Sequence, residues 1–257
     1  MVKHPISPLL TAIGLSKRFG SFIALENVEI RVTPGSITGL IGPNGAGKTT
    51  LFNLLSGFVK PDQGAIRLAE QPIEHLPPYR RVDRGLVRTF QVTRVLSRLS
   101  VLENLLLAAP QALGEQLWQV FLHPARLRQQ QRELTEKALD LLTAIGLVNH
   151  AHNPAGSLSG GQRKLLELGR SLMTQPRLIL LDEPAAGVNP VLIEQLCSHI
   201  LTWNRQGLSF LIIEHNMDVV MSLCDHVWVL AEGKNLVDGT PDSVQRHPQV
   251  LEAYLGF

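Results

Sequence analysis

The chain has 257 residues, with 24 Lys and Arg against 22 Asp and Glu, a net charge of +2, and 44% hydrophobic residues. This near balance gives no electrostatic case for nucleic acid as the main partner, and the length suits one α/β domain with a large core. No window approaches the ~18–20 apolar residues that cross a bilayer, and Met1-Val2-Lys3-His4-Pro5 does not open a secretory leader. A chain soluble by itself is expected, with any membrane role passing through a partner. The two cysteines, Cys197 and Cys224, have no metal-ligand spacing and are expected as reduced thiols.

Residues 1–8, with Pro5 and Pro8, read as a loose tail. Leu10 to Ile13 and Ile23 to Val32 alternate apolar and polar residues, as half-buried antiparallel strands do. Ser36 to Ile41 is a short buried strand leading into Gly42, and Thr50 to Ser56 continues as a helix that Gly57 stops. Ala65 to Leu68 and Leu86 to Phe90 are further strands, the second leading to Gln91. From about Val101 to Gly146 the composition turns to Leu, Gln, Arg, Glu and Ala, which favours helix. Residues about 92–175 are therefore expected as a helical subdomain inserted into an α/β core formed by about 9–91 and 176–257. Arg177 to Asp182 is a continuous apolar run of the central parallel-strand type. A helix at about 190–206, a strand Ser209 to Ile213, a helix to Cys224 and a strand His226 to Leu230 complete a strand–helix alternation that implies a parallel sheet.

Chemistry concentrates at a few points. Gly42-Pro43-Asn44-Gly45-Ala46-Gly47-Lys48-Thr49, followed by Thr50, fits the phosphate-binding pattern G-x-x-x-x-G-K-[ST] between a strand and a helix. Its glycines let backbone N–H groups converge on phosphate oxygens, and the helix start adds partial positive charge. Lys48 is expected at the β- and γ-phosphates and the Thr49 hydroxyl on Mg²⁺. Asp182 and Glu183 end a buried strand, where one acid suits a metal and the other an attacking water. Gln91 and His215 end two more strands, and in a parallel sheet such ends gather along one edge. A second glycine turn, Leu158-Ser159-Gly160-Gly161-Gln162, heads another helix and has no phosphate of its own to hold.

In this order and spacing, these motifs closely resemble the ATP-binding subunits of ABC transporters over essentially the whole chain. The resemblance implies a RecA-like P-loop core with an N-terminal antiparallel β subdomain and an inserted α-helical subdomain, an ATPase using ATP and Mg²⁺. It makes Gln91 the glutamine of the Q-loop, a catalytic and metal-side residue, Asp182 the metal-side acid, Glu183 the catalytic glutamate and His215 the switch histidine. Ser159, Gly160, Gly161 and Gln162 become the signature that binds ATP held by a second ATPase subunit. Phe19, or as the second choice Phe22, matches the aromatic that stacks on adenine, and Ala185 to Pro190 matches a loop crossing the dimer interface, with Asn189 where many members have Asp.

A finer resemblance, to the ATPase subunits of branched-chain amino-acid importers, rests on Phe52-Asn53, Arg88-Thr89-Phe90-Gln91, Ala185 to Pro190, Ile213 to Asp218 and Ala253-Tyr254-Leu255-Gly256. At Gly160 this chain has the general LSGGQ form where many chains of that type carry a bulkier residue. The resemblance implies integral-membrane permease subunits as partners, a hetero- or homodimeric ATPase pair, a periplasmic or extracellular solute-binding protein acting indirectly, and a place on the cytoplasmic face of the membrane. Branched-chain or other hydrophobic amino acids, urea and amides are the solutes of that group. Lipopolysaccharide-type exporters and soluble ABC proteins of iron–sulfur assembly share the general motifs and remain the competing classes. A GTPase is disfavoured because no N/T-K-x-D follows the loop, and a DNA-repair ATPase because Gln91 to Leu158 is too short for a long coiled coil.

Overall fold

In the computed structural model, residues 7–89, 95–110 and 124–255 are described. Contacts divide the chain into two units, residues 1–91 with 176–257, and residues 92–175.

In the first unit, β1 (Leu10–Phe19) and β2 (Phe22–Val32) form an antiparallel hairpin in which Phe19 faces Phe22. Gly20 (φ 60°) opens its two-residue turn, where a left-handed backbone matches the twist of the strands. β1 runs to Phe19, past the expected end at Ile13, because Leu15 is buried and keeps the inward face apolar beyond Gly14. β4 (Gln63–Leu68) and β5 (Gln71–Pro72) complete a four-stranded sheet in the order β2-β1-β4-β5.

A six-stranded sheet follows, built from β3 (Ile37–Ile41), β6 (Leu86–Arg88), β7 (Leu178–Asp182), β8 (Ser209–Ile213), β9 (His226–Ala231) and β10 (Lys234–Gly239). Its order is β10-β9-β3-β8-β7-β6, with every neighbouring pair parallel except β9 and β10. All five residues of β3 and of β8 are buried, including the polar Thr38 and Ser209, as in strands covered on both faces. Parallel pairing brings the ends of β3, β8, β7 and β6 to one edge, so Gly42, His215, Glu183 and the residues after Arg88 all leave the sheet on that side.

Helix α1 (Lys48–Ser56) ends at Gly57, whose φ of 84° lets its N–H reach Asn53 O and Leu54 O. Arg81, on the short helix α2 (Pro78–Asp83), caps the same end. Its guanidinium donates to Leu54 O (2.7 Å), Leu55 O (2.6 Å), Leu76 O (3.0 Å) and Glu74 O (3.1 Å). Burial pushes its pKa down to about 10, and the carbonyl partners compensate the buried cation.

The second unit packs α3 (Val101–Leu106) against α4 (Pro124–Ala144) and α5 (Gly160–Met173). Gly169 permits the approach: a Cβ there would lie 3.2 Å from Leu105 Cδ2 and 3.3 Å from Ile145 Cδ1. Leu105, Ala138, Leu142, Leu165, Leu166 and Leu168 form the buried apolar faces. Asn104, fully buried, ties the preceding loop to α3 by exchanging hydrogen bonds with Leu96 and donating to Ser100 O.

In the first unit, α6 (Pro190–Arg205) and α7 (Met217–Leu223) start at asparagine caps. Asn189 Oδ1 accepts from Leu192 N–H (2.9 Å) and Asn216 Oδ1 from Asp218 N–H (2.9 Å). Asn189 thus does the local work of Asp, since both are strong caps. Two short helices, α8 (Pro241–Gln245) and α9 (Pro248–Leu255), close the chain. Val244 and Val250 seat them on Ile41, Val220, Val227 and Val229.

Candidate functional site: a phosphate loop and an acidic sheet edge

The loop between β3 and α1 adopts a backbone that only glycine permits at two points. Gly42 has φ 151°, and a Cβ there would stand 2.1 Å from Leu230 O. Gly47 has φ 100°, and its Cβ would meet Leu25 Cδ2 at 2.6 Å and Ala24 O at 2.8 Å. Gly47 is also the N-cap of α1 and offers no side chain to the helix start. The first N–H groups of α1 therefore keep their donors for an outside acceptor, with about half a positive charge behind them.

Lys48, only 6% exposed, folds its ammonium back onto Gly42 O (2.7 Å) and Pro43 O (2.9 Å). Burial lowers its pKa, and the charges of Glu183 and Asp182 act in the opposite direction. The lysine of the loop and the two acids at the end of β7, Asp182 and Glu183, thus share one electrostatic environment. A polyphosphate entering it would exchange weak carbonyl partners for anionic ones.

Asp182 is not isolated. Its Oδ2 accepts from Arg88 Nη2 at 2.8 Å, and Arg88 Nη1 also donates to Asn53 Oδ1 (2.7 Å) and Ser56 Oγ (3.1 Å). The guanidinium lies 5.5 Å from the centre of the Phe52 ring and 6.0 Å from that of Phe58. Arg88 thereby joins β6, α1 and β7 into one frame around the acid.

Glu183 carries a left-handed backbone (φ 48°), uncommon for a residue with a side chain. Its Oε1 lies 2.9 Å from His215 Nε2. Both are partly exposed, 22% and 38%, so the pair faces solvent at the sheet edge. Gln91, expected beside them, lies outside the described residues, which reach Thr89 on this strand. Phe19 is 49% exposed with Lys17 Nζ 5.6 Å from its ring centre, and Phe22 is 63% exposed; neither is core.

The signature turn lies in the second unit. Ser159 is the N-cap of α5, its Oγ accepting from Gln162 N–H (3.2 Å) while Gln162 Oε1 accepts from Ser159 N–H (2.9 Å). This is a reciprocal capping box. Ser159 and Gly160 are exposed.

Reasoning from motifs alone missed two contacts. Tyr254 of α9 accepts a hydrogen bond from Gly42 N–H at 2.8 Å, across 212 positions of sequence; burial raises the pKa of its phenol. Glu214, 4% exposed, receives three backbone N–H groups around Glu183 and His215. The acid directly before His215 was the only sequence signal for the latter, and nothing in spacing gave it a task.

A glycine loop with a lysine at a helix start, set against two acids at the end of a parallel strand, defines a P-loop nucleotide-binding protein. The ABC transporter family model matches residues 25–186, and a model described as "branched-chain amino acid ATP-binding cassette transporter" matches residues 234–256. The chain belongs to the ABC transporter family and is one of its ATP-binding subunits. Over 250 residues it is 42% identical to the high-affinity branched-chain amino acid transport ATP-binding protein LivG of Escherichia coli, covering 97% of this chain and 98% of that one. It is 40% identical over 248 residues to the probable LivG of Archaeoglobus fulgidus, covering 96% and 95%. Among solved structures, a nucleotide-free ATP-binding cassette from an ABC transporter superposes with a TM-score of 0.84 at 38% identity, covering 97% of this chain and 100% of that one. The ADP conformation of an ATP-binding cassette of an ABC transporter does so with 0.83 at 37%, covering 97% and 99%. The expected fold class is thus met by whole-chain similarity to ABC cassettes.

Proposed function

We propose that this ABC ATPase binds ATP on the Gly42–Thr49 loop and hydrolyses it at the edge formed by Asp182, Glu183 and His215, powering uptake of branched-chain amino acids or related small solutes. The observation that carries the chemistry is the Glu183–His215 contact at 2.9 Å, on the sheet edge to which Lys48 is electrostatically tied. Lys48 transfers its ammonium from Gly42 O and Pro43 O to the β- and γ-phosphate oxygens, neutralising charge that grows as the phosphoryl leaves. Glu183 orients the attacking water and takes its proton. His215, held against Glu183, steadies that carboxylate and faces the γ-phosphate.

The oxygen donors of Thr49 and Asp182 suit Mg²⁺, a hard cation that prefers hydroxyl, carboxylate and phosphate oxygens, and Gln91 would join them. When bound, the ion offsets charge on the β- and γ-phosphates. Arg88 holds one Asp182 oxygen and so fixes which way the carboxylate turns.

The exposed Ser159 turn supports a reading in which it completes the site of a second ATPase subunit, in a two-fold or pseudo-two-fold pair. Among the described residues no helix is long and apolar enough to cross a membrane, which accords with a peripheral subunit docked to permeases at the cytoplasmic face. The solute class rests on the relatives and on the match at residues 234–256. A heterodimer with a sister ATPase is our preferred assembly.

The test has two parts. Glu183→Gln should keep ATP binding while lowering turnover by about a thousandfold or more, the scale of losing a general base together with its charge; unchanged hydrolysis would remove Glu183 from this role. Purification from membranes should bring two permease subunits with the chain, and the reconstituted complex should take up leucine. Recovery with soluble iron–sulfur assembly proteins instead would overturn the importer reading.

A further inference from the structure

The strand β8 ends one residue before a buried acid, Glu214, to which no role has been assigned. Glu214 is 4% exposed, and both of its oxygens are engaged by backbone. Oε1 accepts from Ala185 N–H at 2.8 Å, while Oε2 accepts from His215 N–H at 3.1 Å and from Asn216 N–H at 3.4 Å. Ala185 lies two residues past Glu183, on the segment that leaves β7. One carboxylate therefore spans the two chain segments that carry the proposed catalytic pair. We propose that Glu214 is a positioning residue for ATP hydrolysis, clamping the Glu183 turn and the His215 turn to each other so that their side chains meet.

Three features make the clamp a physical requirement. Glu183 sits at φ 48°, a conformation a non-glycine residue holds only when its surroundings enforce it. One enforcing contact precedes the strain, Glu183 N–H to Ile213 O at 3.0 Å, and the Ala185–Glu214 bond follows it. The strained residue is thus pinned on both sides to the end of β8. Asp182 already pairs with Ile213 in the parallel register, so Glu214 continues the β7–β8 coupling past the point where regular pairing ends. Finally, the Oε2 contacts hold the first residues of the turn into α7, whose N-cap is Asn216. His215 is thereby fixed between a strand end and a helix cap.

The acceptor chemistry is also specific. A carboxylate offers acceptors at both ends, and all three partners here are donors. A glutamine offers one acceptor and one NH₂ group, so in either orientation one arm sets donor against donor. Glu214→Gln is nearly isosteric and should leave the core packed while releasing one of the two turns.

The inference rests on the reading of Glu183 and His215 as the hydrolytic pair, and the experiment separates the two. With the chain assembled with its partner ATPase and permease subunits, kcat, KM for ATP, affinity for a fluorescent ATP analogue and thermal melting are measured for Glu214→Gln, Glu183→Gln, His215→Ala and Glu214→Gln/His215→Ala. We expect Glu214→Gln to lower kcat about tenfold to a hundredfold, with analogue affinity and KM within about twofold, as for loss of an interaction felt only in the transition state. In the His215→Ala background the further loss should shrink to about threefold or less, because residues acting as a unit are not additive. Wild-type kcat in Glu214→Gln, or an undiminished loss on top of His215→Ala, would overturn the proposal. If Glu183→Gln itself retains turnover, it is the catalytic reading that falls. Should Glu214→Gln fail to fold, Glu214→Asp, which keeps the charge but shortens the reach, is judged by the same criteria.

Discussion

Two helices in this chain begin on glycine-rich turns, and they begin in opposite ways. The start of α1 has Gly47 as its cap, with no side-chain bond to the helix. The start of α5 is closed by its own serine, with Ser159 and Gln162 exchanging hydrogen bonds. An uncapped start leaves its donors for a ligand, whereas the capping box engages two of them, the Ser159 and Gln162 N–H groups, and leaves those of Gly160 and Gly161 outside it. Backbone strain follows the same division. Gly42 and Gly47 hold conformations and clearances that exclude a Cβ, while Gly160 has no heavy atom within 4 Å of its would-be Cβ and is not among the positive-φ residues. The fold itself fixes the backbone of the phosphate loop. The signature turn is a helix start whose shape is held by its own Ser159–Gln162 exchange, which fits the proposed turn that meets its phosphate only when a second subunit brings one.

The difference is exposed most strongly by Gly42→Ala. The added methyl would sit 2.1 Å from Leu230 O on a backbone at φ 151°, and displacing that strand end would also break the Gly42–Tyr254 and Gly42–Lys48 contacts. A fall in stability of more than about 2 kcal/mol is expected, read in thermal melting, with ATP-analogue affinity reduced at least about tenfold. A variant that melts and binds like the parent would show that the loop is not the rigid element claimed here.

Ser159→Arg probes the other start with a smaller effect on the fold. Loss of the serine cap costs about 1 kcal/mol, and the arginine places a large cation where a partner-held γ-phosphate is to be received. Hydrolysis at dimer-forming concentrations should fall by about a hundredfold or more, as when a group meeting transition-state charge is lost, while ATP affinity of the isolated monomer stays unchanged. Equal loss in monomer affinity would mean that the turn serves its own chain's nucleotide, and the contrast between the two starts would collapse.

The open start was legible in sequence because its glycines, lysine and threonine are contiguous and each has a stated reason. The sheet order was legible only as a class. The continuous apolar run at β7 announces a parallel strand, and the turn at Glu232-Gly233-Lys234 announces a reversal after β9, but the antiparallel edge that β10 forms also depends on where β9 has already paired. The short α2 was not foreseen, and its Arg81 reads in sequence as one more surface arginine beside Arg80. Its burial against the carbonyl end of α1 is a tertiary fact. Glu214 and Tyr254 escaped for the same reason: each acts through backbone groups 29 and 212 positions away. Both fall in stretches that carry the family resemblance, but a stretch of sequence does not say which distant backbone its side chains meet.

The smallest effect is expected at Gly160, and it sharpens the contrast most. With open space around its Cβ position and no positive φ, the fold does not require glycine there. Alanine at the first turn of α5 should leave melting unchanged or raise it slightly, since alanine favours helix by up to about 1 kcal/mol over glycine in helix interiors. Turnover should remain within about threefold of the parent, a barrier change below about 1 kcal/mol. That outcome would make Ser159 and the helix start, not the glycine, the working part of the turn. If turnover instead fell by orders of magnitude with the melt unchanged, then something outside the chain sets this residue, and the backbone at Gly160 must itself come against the phosphate. The two glycine turns would then differ in when they meet their anion and not in how.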